Sequence, residues 1–130
     1  MPQEKPPTLL VVDDEPLMTE LLQHMMSREG YQVLTAHNGV EALQIVRREG
    51  SQVDLILLDI SMPDMDGLQT ARALQQEMPG IPVLIATGFG DVLAEHAFPA
   101  NVAGVVSKPY QGKVIAARIS EILRSTSGGS

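Results

Sequence analysis

Short apolar runs alternate with longer segments of helical period along most of the chain. The runs predict strands, and their continuous apolar character is typical of strands covered on both faces, as in a parallel sheet. They span residues 8–12, 32–36, 53–59, 81–87 and 102–107. Apolar residues three and four positions apart predict helices after the strands, for example Leu17, Leu21 and Met25, or Ile115, Ile119 and Ile122.

Proline, asparagine and glycine mark the expected helix boundaries. Pro16 suits a first helical turn and Asn38 an N-cap, while Gly30, Gly50 and the Pro79-Gly80 pair stand where helices should end. Residues 91–98 form the weakest predicted helix, because Pro99 follows at once. Five strand–helix units with short connections predict an α/β fold, a doubly wound parallel sheet with helices on both faces.

Length and composition indicate one domain. The 130 residues, 44% of them hydrophobic, suit a single compact core. We divide the chain into a proline-rich lead-in at 1–7, the folded domain at 8–124 and a flexible tail at 125–130, because the last segment reads STSGGS.

Charge and cysteine content exclude several functions. A formal net charge of -7 argues against direct nucleic-acid binding, and the absence of cysteine excludes disulfides and thiolate chemistry. No apolar stretch approaches the ~20 residues of a membrane span, and the first residues lack a signal-peptide pattern. We therefore expect a cytoplasmic protein with no membrane insertion.

Polar residues follow four of the predicted strands. Asp13 and Asp14 follow the first strand, Asp59 and Thr87 end the third and fourth, and Lys108 follows the fifth. Parallel strands end at one edge of the sheet, where ligands of such folds bind. Neighbouring carboxylates repel one another unless a cation compensates. Mg²⁺ prefers oxygen ligands, so this edge predicts a magnesium site that could also hold a phosphoryl group.

Other interpretations of these residues remain open at this point. A carboxylate can act as a nucleophile and form an aspartyl phosphate, and one of the aspartates could do so. An Asp-Asp pair after a strand often simply caps the following helix. The histidines lie outside the cluster, which makes zinc or copper a poor fit.

Four motifs, LLVVDDEP, DLILLDISMPDMDGL, PVLIATG and SKPY, closely resemble in order and spacing the receiver domain of two-component response regulators. The resemblance covers roughly residues 8–123. It implies a CheY-like (βα)5 sandwich, that is, a flavodoxin-like fold with strand order 2-1-3-4-5.

The resemblance also implies a role for each site residue. Asp59 matches the phosphoacceptor, and the metal ligands match Asp13, Asp14, Asp59 and the backbone carbonyl of Ser61. Thr87, Gly88 and Lys108 match the residues that bind the phosphoryl group, and the bond before Pro109 matches a cis peptide. The implied cofactor is Mg²⁺, with Mn²⁺ as an alternative ion.

One position departs from the family pattern. Val105 stands three residues before Lys108, where the family commonly has a tyrosine or phenylalanine that is coupled to the switch. Phe89 and Tyr110 are therefore candidate switch aromatics.

The implied function is that of a signalling domain and not of an enzyme acting on an external substrate. A histidine kinase or histidine phosphotransfer domain would phosphorylate it, and a surface involving the fourth and fifth helices would bind an unidentified downstream protein or a second copy. The domain would be a stand-alone regulator or a module of a hybrid kinase. The alternatives are a Mg²⁺-dependent phosphatase or phosphotransferase working through an aspartyl phosphate, and a phosphorylation-independent binding module.

Overall fold

The computed structural model describes residues 6–60, 67–88, 99–108 and 110–128, with side chains to residue 125. The described strands are β1 (Thr8–Val12), β2 (Gln32–Ala36), β3 (Leu55–Asp59), β4 (Val83–Thr87) and β5 (Val102–Ser107). The described helices are α1 (Pro16–Arg28), α2 (Gly39–Glu49), α3 (Gly67–Glu77) and α4 (Gly112–Gly128), with a 3₁₀ turn at Gly50–Gln52. Within these residues, no helix has both the length and the apolar character that crossing a membrane requires.

The five strands form one parallel sheet in the order β2-β1-β3-β4-β5. This confirms the α/β fold class and the strand order that the family resemblance implies. Every residue of β1, β3 and β4 is buried, whereas the edge strands β2 and β5 are partly exposed. Continuous apolar runs thus correspond to full coverage only in the three central strands.

Two hydrophobic clusters cover the two faces of the sheet. Successive strand residues point to opposite faces, so Leu10 packs with α2 and α3 in one cluster, whereas Leu9 packs with α1 and α4 in the other. A fully buried leucine contributes roughly 2 kcal/mol through the removal of apolar surface from water. Coverage on both sides fixes the central strands and hence the positions of the residues that follow them.

Two strands begin later than predicted. β3 begins at Leu55 and not at Val53, and β4 begins at Val83 and not at Ile81. Val53 and Ile81 are buried although they lie outside the strands. Proline has no N–H to add to a ladder, so Pro82 suits the position just before β4.

The predicted helix starts are confirmed. Pro16 is the first residue of α1, and the Asn38 side chain caps α2 by accepting the Glu41 backbone N–H at 2.7 Å. Gly30 follows α1 with a φ of 98°, a backbone conformation that glycine adopts without strain.

The last helix is longer than the domain boundary at 124 suggests. α4 continues to Gly128, within the segment predicted as a tail, because the first glycine after Leu123 is Gly128 and no proline intervenes. The predicted helix at 91–98 lies outside the described residues.

Candidate functional site

Two buried carboxylates lie at the carboxyl edge of the sheet. Asp13 directly follows β1, Asp59 is the last residue of β3, and these strands are paired, with Val12 opposite Leu58. The exposed fraction is 0% for Asp13 and 3% for Asp59. The strand ends thus hold two acidic side chains next to each other and out of water.

Lys108 supplies the positive charge of this site. Its Nζ atom lies 2.7 Å from Asp59 Oδ2 and 4.0 Å from Asp13 Oδ2. The Lys108 backbone N–H donates to the Thr87 carbonyl at 2.9 Å, which places the lysine just beyond β5. One ammonium therefore faces two buried carboxylates and pairs most closely with Asp59.

Burial and the negative charge of Asp59 raise the pKa of Asp13. Burial is the largest effect and, with the charge of Asp59, raises the pKa of Asp13 from 3.8 to about 6. The Glu15 backbone N–H, which donates to Asp13 Oδ1 at 3.0 Å, and the Lys108 charge act in the opposite direction. The pKa of Asp13 is raised because burial and the Asp59 charge outweigh the Glu15 N–H and the Lys108 charge.

The structure brings some of the remaining predicted residues to the same edge. Thr87 ends β4 with 1% exposure, and the exposed Gly88 follows it. Asp14 is partly exposed. Among the described residues, no three aspartate, glutamate or histidine side chains form a group able to hold a metal ion. Asp13 and Asp59 form a buried pair, the partly exposed Asp14 is next to Asp13 in the chain, and the assignment of the three carboxylates as metal ligands stays a prediction.

A comparison with known sequences identifies this arrangement. The sequence model of the response regulator receiver domain matches residues 9–120. The chain belongs to the response regulator receiver family. It is a receiver domain of phosphorylation-based signalling, as its sequence motifs implied.

Named relatives of this receiver domain agree with that membership. It is 35% identical to the probable transcriptional regulatory protein TcrX of Mycobacterium tuberculosis over 129 residues, covering 94% of this chain and 52% of the relative. The chain spans about half or less of the length of the curated relatives it matches.

Solved structures show the same fold. The response regulator TrrA of Thermotoga maritima, in complex with Mg²⁺-BeF, has a TM-score of 0.79 and 28% identity over 89% of this chain and 98% of that one. The receiver domain of the hybrid histidine kinase CckA has a TM-score of 0.75 and 27% identity over the same shares of the two chains.

Helix capping does not explain the position of the Asp13 side chain in this receiver domain. The N-cap residue of α1 is Glu15, and its side chain makes no capping hydrogen bond. Asp13 accepts the N–H of Glu15 itself and keeps its other oxygen toward Lys108. The Asp13 side chain therefore belongs to the carboxylate pair and not to the helix end.

Tyr110 takes part in the site in a way that the sequence did not reveal. Its hydroxyl lies 3.5 Å from Asp13 Oδ2, and its ring centre lies 5.6 Å from Lys108 Nζ. Burial, followed by the charges of Asp59 and Asp13, raises the pKa of Tyr110 above its usual range. The available sequence signal was its position two residues after Lys108, which favoured a switch aromatic but not a contact with Asp13.

Three predicted site residues, Ser61, Phe89 and Pro109, lie outside the described residues. Val105, at the family's aromatic position, lies in β5 and packs as a partly buried residue against the α2–α3 side of the core.

Proposed function

We propose that Asp59 is the phosphoacceptor of this receiver domain and that a phosphohistidine of a histidine kinase or histidine phosphotransfer domain is the donor. The observation that carries the proposal is the 2.7 Å contact between Asp59 Oδ2 and Lys108 Nζ at the buried end of a central strand. A carboxylate held beside a fixed cation can attack phosphorus while the charge of the transferred group is neutralised.

The transfer forms one bond and breaks one bond. An Asp59 oxygen forms the new O–P bond, and the P–N bond of the phosphohistidine breaks, with its electron pair returning to the imidazole nitrogen. Lys108 moves from the Asp59 carboxylate to an oxygen of the transferred group. Thr87, the last residue of the neighbouring strand β4, contributes a hydroxyl to the same oxygens, and Gly88, which follows it, contributes an amide.

The donor chemistry of the site suits Mg²⁺, with Mn²⁺ as the alternative ion. Two buried carboxylates share one ammonium, and burial, followed by the charge of Asp59, raises the pKa of Asp13; a divalent cation beside both carboxylates would favour their ionised forms. Asp13, Asp14, Asp59 and the Ser61 carbonyl would hold the ion. When bound, it supplies positive charge to the phosphoryl oxygens.

The output of the domain is the binding of a downstream protein. The relatives include a probable transcriptional regulatory protein and a hybrid histidine kinase, so the domain acts within a longer regulator, within a hybrid kinase or by itself. Phosphorylation would alter a surface on the side of β5 and α4, which binds that protein or a second copy. We place the domain in the cytoplasm, with no direct contact to nucleic acid and no catalysis on other substrates beyond its own phosphorylation and dephosphorylation.

Intact mass after incubation with acetyl phosphate tests the proposal. The parent should gain a single phosphoryl group only when Mg²⁺ is present, and Asp59→Asn should gain none. Asp54→Asn is the matched control, because the exposed Asp54 lies beside the other end of β3 and accepts the Thr8 backbone N–H. An adduct that persists in Asp59→Asn, or disappears in Asp54→Asn alone, would contradict the assignment.

A further inference from the structure

Tyr110 lies between β5 and α4, with its hydroxyl 3.5 Å from Asp13 Oδ2 and its ring centre 5.6 Å from Lys108 Nζ. Its ring packs against the α1–α4 side of the core, and its hydroxyl lies beside Asp13. We propose that Tyr110 is a positioning residue that holds the Asp13 carboxylate in the orientation needed to bind a divalent cation. This inference rests on the proposed function, because it concerns the same cation site.

Each oxygen of the Asp13 carboxylate faces a hydrogen-bond donor. Oδ1 accepts the Glu15 backbone N–H at 3.0 Å, whereas Oδ2 faces the Tyr110 hydroxyl at 3.5 Å and the Lys108 ammonium at 4.0 Å. A carboxylate with no exposed surface depends on such donors for the stability of its charged form. The hydroxyl must donate, because an ionised carboxylate only accepts.

Lys108 lies closer to Asp59 than to Asp13. Its ammonium pairs with Asp59 at 2.7 Å and leaves Asp13 Oδ2 at the longer distance of 4.0 Å. Tyr110 is therefore the nearest side-chain donor to Oδ2 among the described contacts. Its ring face also lies within the ~6 Å range in which an aromatic ring attracts a cation, so it favours the observed position of the lysine.

These contacts have a consequence for cation binding. A carboxylate oxygen has two lone pairs, so Oδ2 can accept the hydroxyl and still accept a water molecule of a hydrated ion. Without the hydroxyl, the Asp13 carboxylate would keep the Glu15 N–H on Oδ1 but lose its nearest side-chain donor on Oδ2, so its orientation would be less tightly held. The ion would then have to reorient it on binding, which lowers the affinity.

A double-mutant cycle with Tyr110→Phe and Asp13→Asn tests the positioning role of Tyr110. Tyr110→Phe removes the hydroxyl and keeps the ring, and Tyr31→Phe is the matched control, because Tyr31 is the other tyrosine of the chain and packs against the same core cluster. Mg²⁺ binding is measured by titration calorimetry on the four proteins of the cycle and on the control.

We expect Tyr110→Phe to raise the Kd for Mg²⁺ about threefold, since a long hydrogen bond to a charged group contributes modestly, and Tyr31→Phe to leave it unchanged. In the Asp13→Asn background, Tyr110→Phe should have no further effect, because the hydroxyl acts through Asp13. Unchanged or tighter binding by Tyr110→Phe, or an equal effect in both backgrounds, would overturn the role.

The same cycle measured by urea unfolding without metal separates this inference from the proposed function. We expect the two substitutions to be non-additive in the unfolding equilibrium constant, and additivity would contradict the Tyr110–Asp13 contact alone. A parent protein that binds no Mg²⁺ would instead contradict the metal site of the proposed function, and the positioning role together with it.

Discussion

The ammonium of Lys108 lies 2.7 Å from Oδ2 of Asp59, and both residues are held at strand ends of the same sheet. Lys108 is 25% exposed and Asp59 is 3% exposed, so the pair is largely removed from water. In such surroundings, loss of one partner leaves an uncompensated charge, which is more costly than loss of an exposed ion pair.

Replacing Lys108 with methionine should therefore destabilise the metal-free domain. We expect the free energy of unfolding to fall by about 2 kcal/mol, because two buried carboxylates lose their shared cation. Urea unfolding at neutral pH with a chelator measures the change. Lys113→Met is the control, because Lys113 is exposed and its contact with Glu29 is 3.5 Å long. Equal losses in both variants would argue against a special role of Lys108.

Replacing Asp13 with asparagine should stabilise the metal-free domain as pH rises. The folded-state pKa of Asp13 is raised from 3.8 to about 6, so its favourable contribution is complete below pH 4 and is lost as pH rises through 6. The asparagine side chain of the variant does not titrate. The advantage of the variant over the parent should thus grow by about 2 kcal/mol between pH 4 and pH 7.

Urea unfolding of parent and Asp13→Asn at the two pH values, with a chelator present, measures that difference. Asp54→Asn serves as the control, because Asp54 is exposed and its pairing with Thr8 lies away from the site. A gap between parent and Asp13→Asn that is the same at both pH values would refute the prediction.

Replacing Gly67 with alanine should disturb the segment that follows Asp59. A Cβ at this position would lie 2.6 Å from the Cα of Ile60, the residue next to Asp59, and backbone cannot yield as a flexible side chain does. We expect a loss of about 2 kcal/mol in unfolding free energy and slower phosphorylation by acetyl phosphate.

Gly80→Ala is the matched control for that substitution, because a Cβ at this position would have no atom of the described residues within 4 Å apart from its own chain neighbours. Its unfolding free energy and phosphorylation rate should stay close to those of the parent. Parent-like behaviour of Gly67→Ala in both measurements would show that Gly67 does not constrain the site.

Replacing Asn38 with alanine should weaken the start of α2. The Asn38 side chain accepts the Glu41 N–H at 2.7 Å, and loss of such a cap costs about 1 kcal/mol. Asn38→Asp keeps an acceptor at the helix N-terminus and should retain the parent's stability. Thermal or urea unfolding distinguishes the two. A loss in Asn38→Asp as large as in Asn38→Ala would mean that the cap does not stabilise the helix.

At the starts of β3 and β4, the apolar pattern predicted burial more accurately than backbone pairing. The apolar runs predict that Val53 and Ile81 belong to strands, and both are buried. Neither lies within a strand, since β3 begins at Leu55 and β4 at Val83. Hydrophobic periodicity reports the removal of a side chain from water, whereas the start of a strand depends on hydrogen bonds to a neighbour.

The part of the candidate site that the sequence predicts consists of residues at the ends of strands. Asp13, Asp59 and Lys108 meet because parallel strands bring their ends to one edge. Asp13 is fully buried whereas Asp14, the next residue, is partly exposed, and the sequence pattern does not specify this difference. The Tyr110 hydroxyl belongs to a loop residue, whose direction no periodicity specifies.

Location of the phosphoryl group tests the central claim most directly. After reaction with acetyl phosphate and Mg²⁺, borohydride reduction converts an aspartyl phosphate to homoserine, which peptide mass spectrometry assigns to one position. We expect homoserine at residue 59 in the parent and none in Asp59→Asn. Homoserine at residue 13, 14 or 54, or a phosphoryl group on a histidine, would contradict the account of Asp59 as the phosphoacceptor.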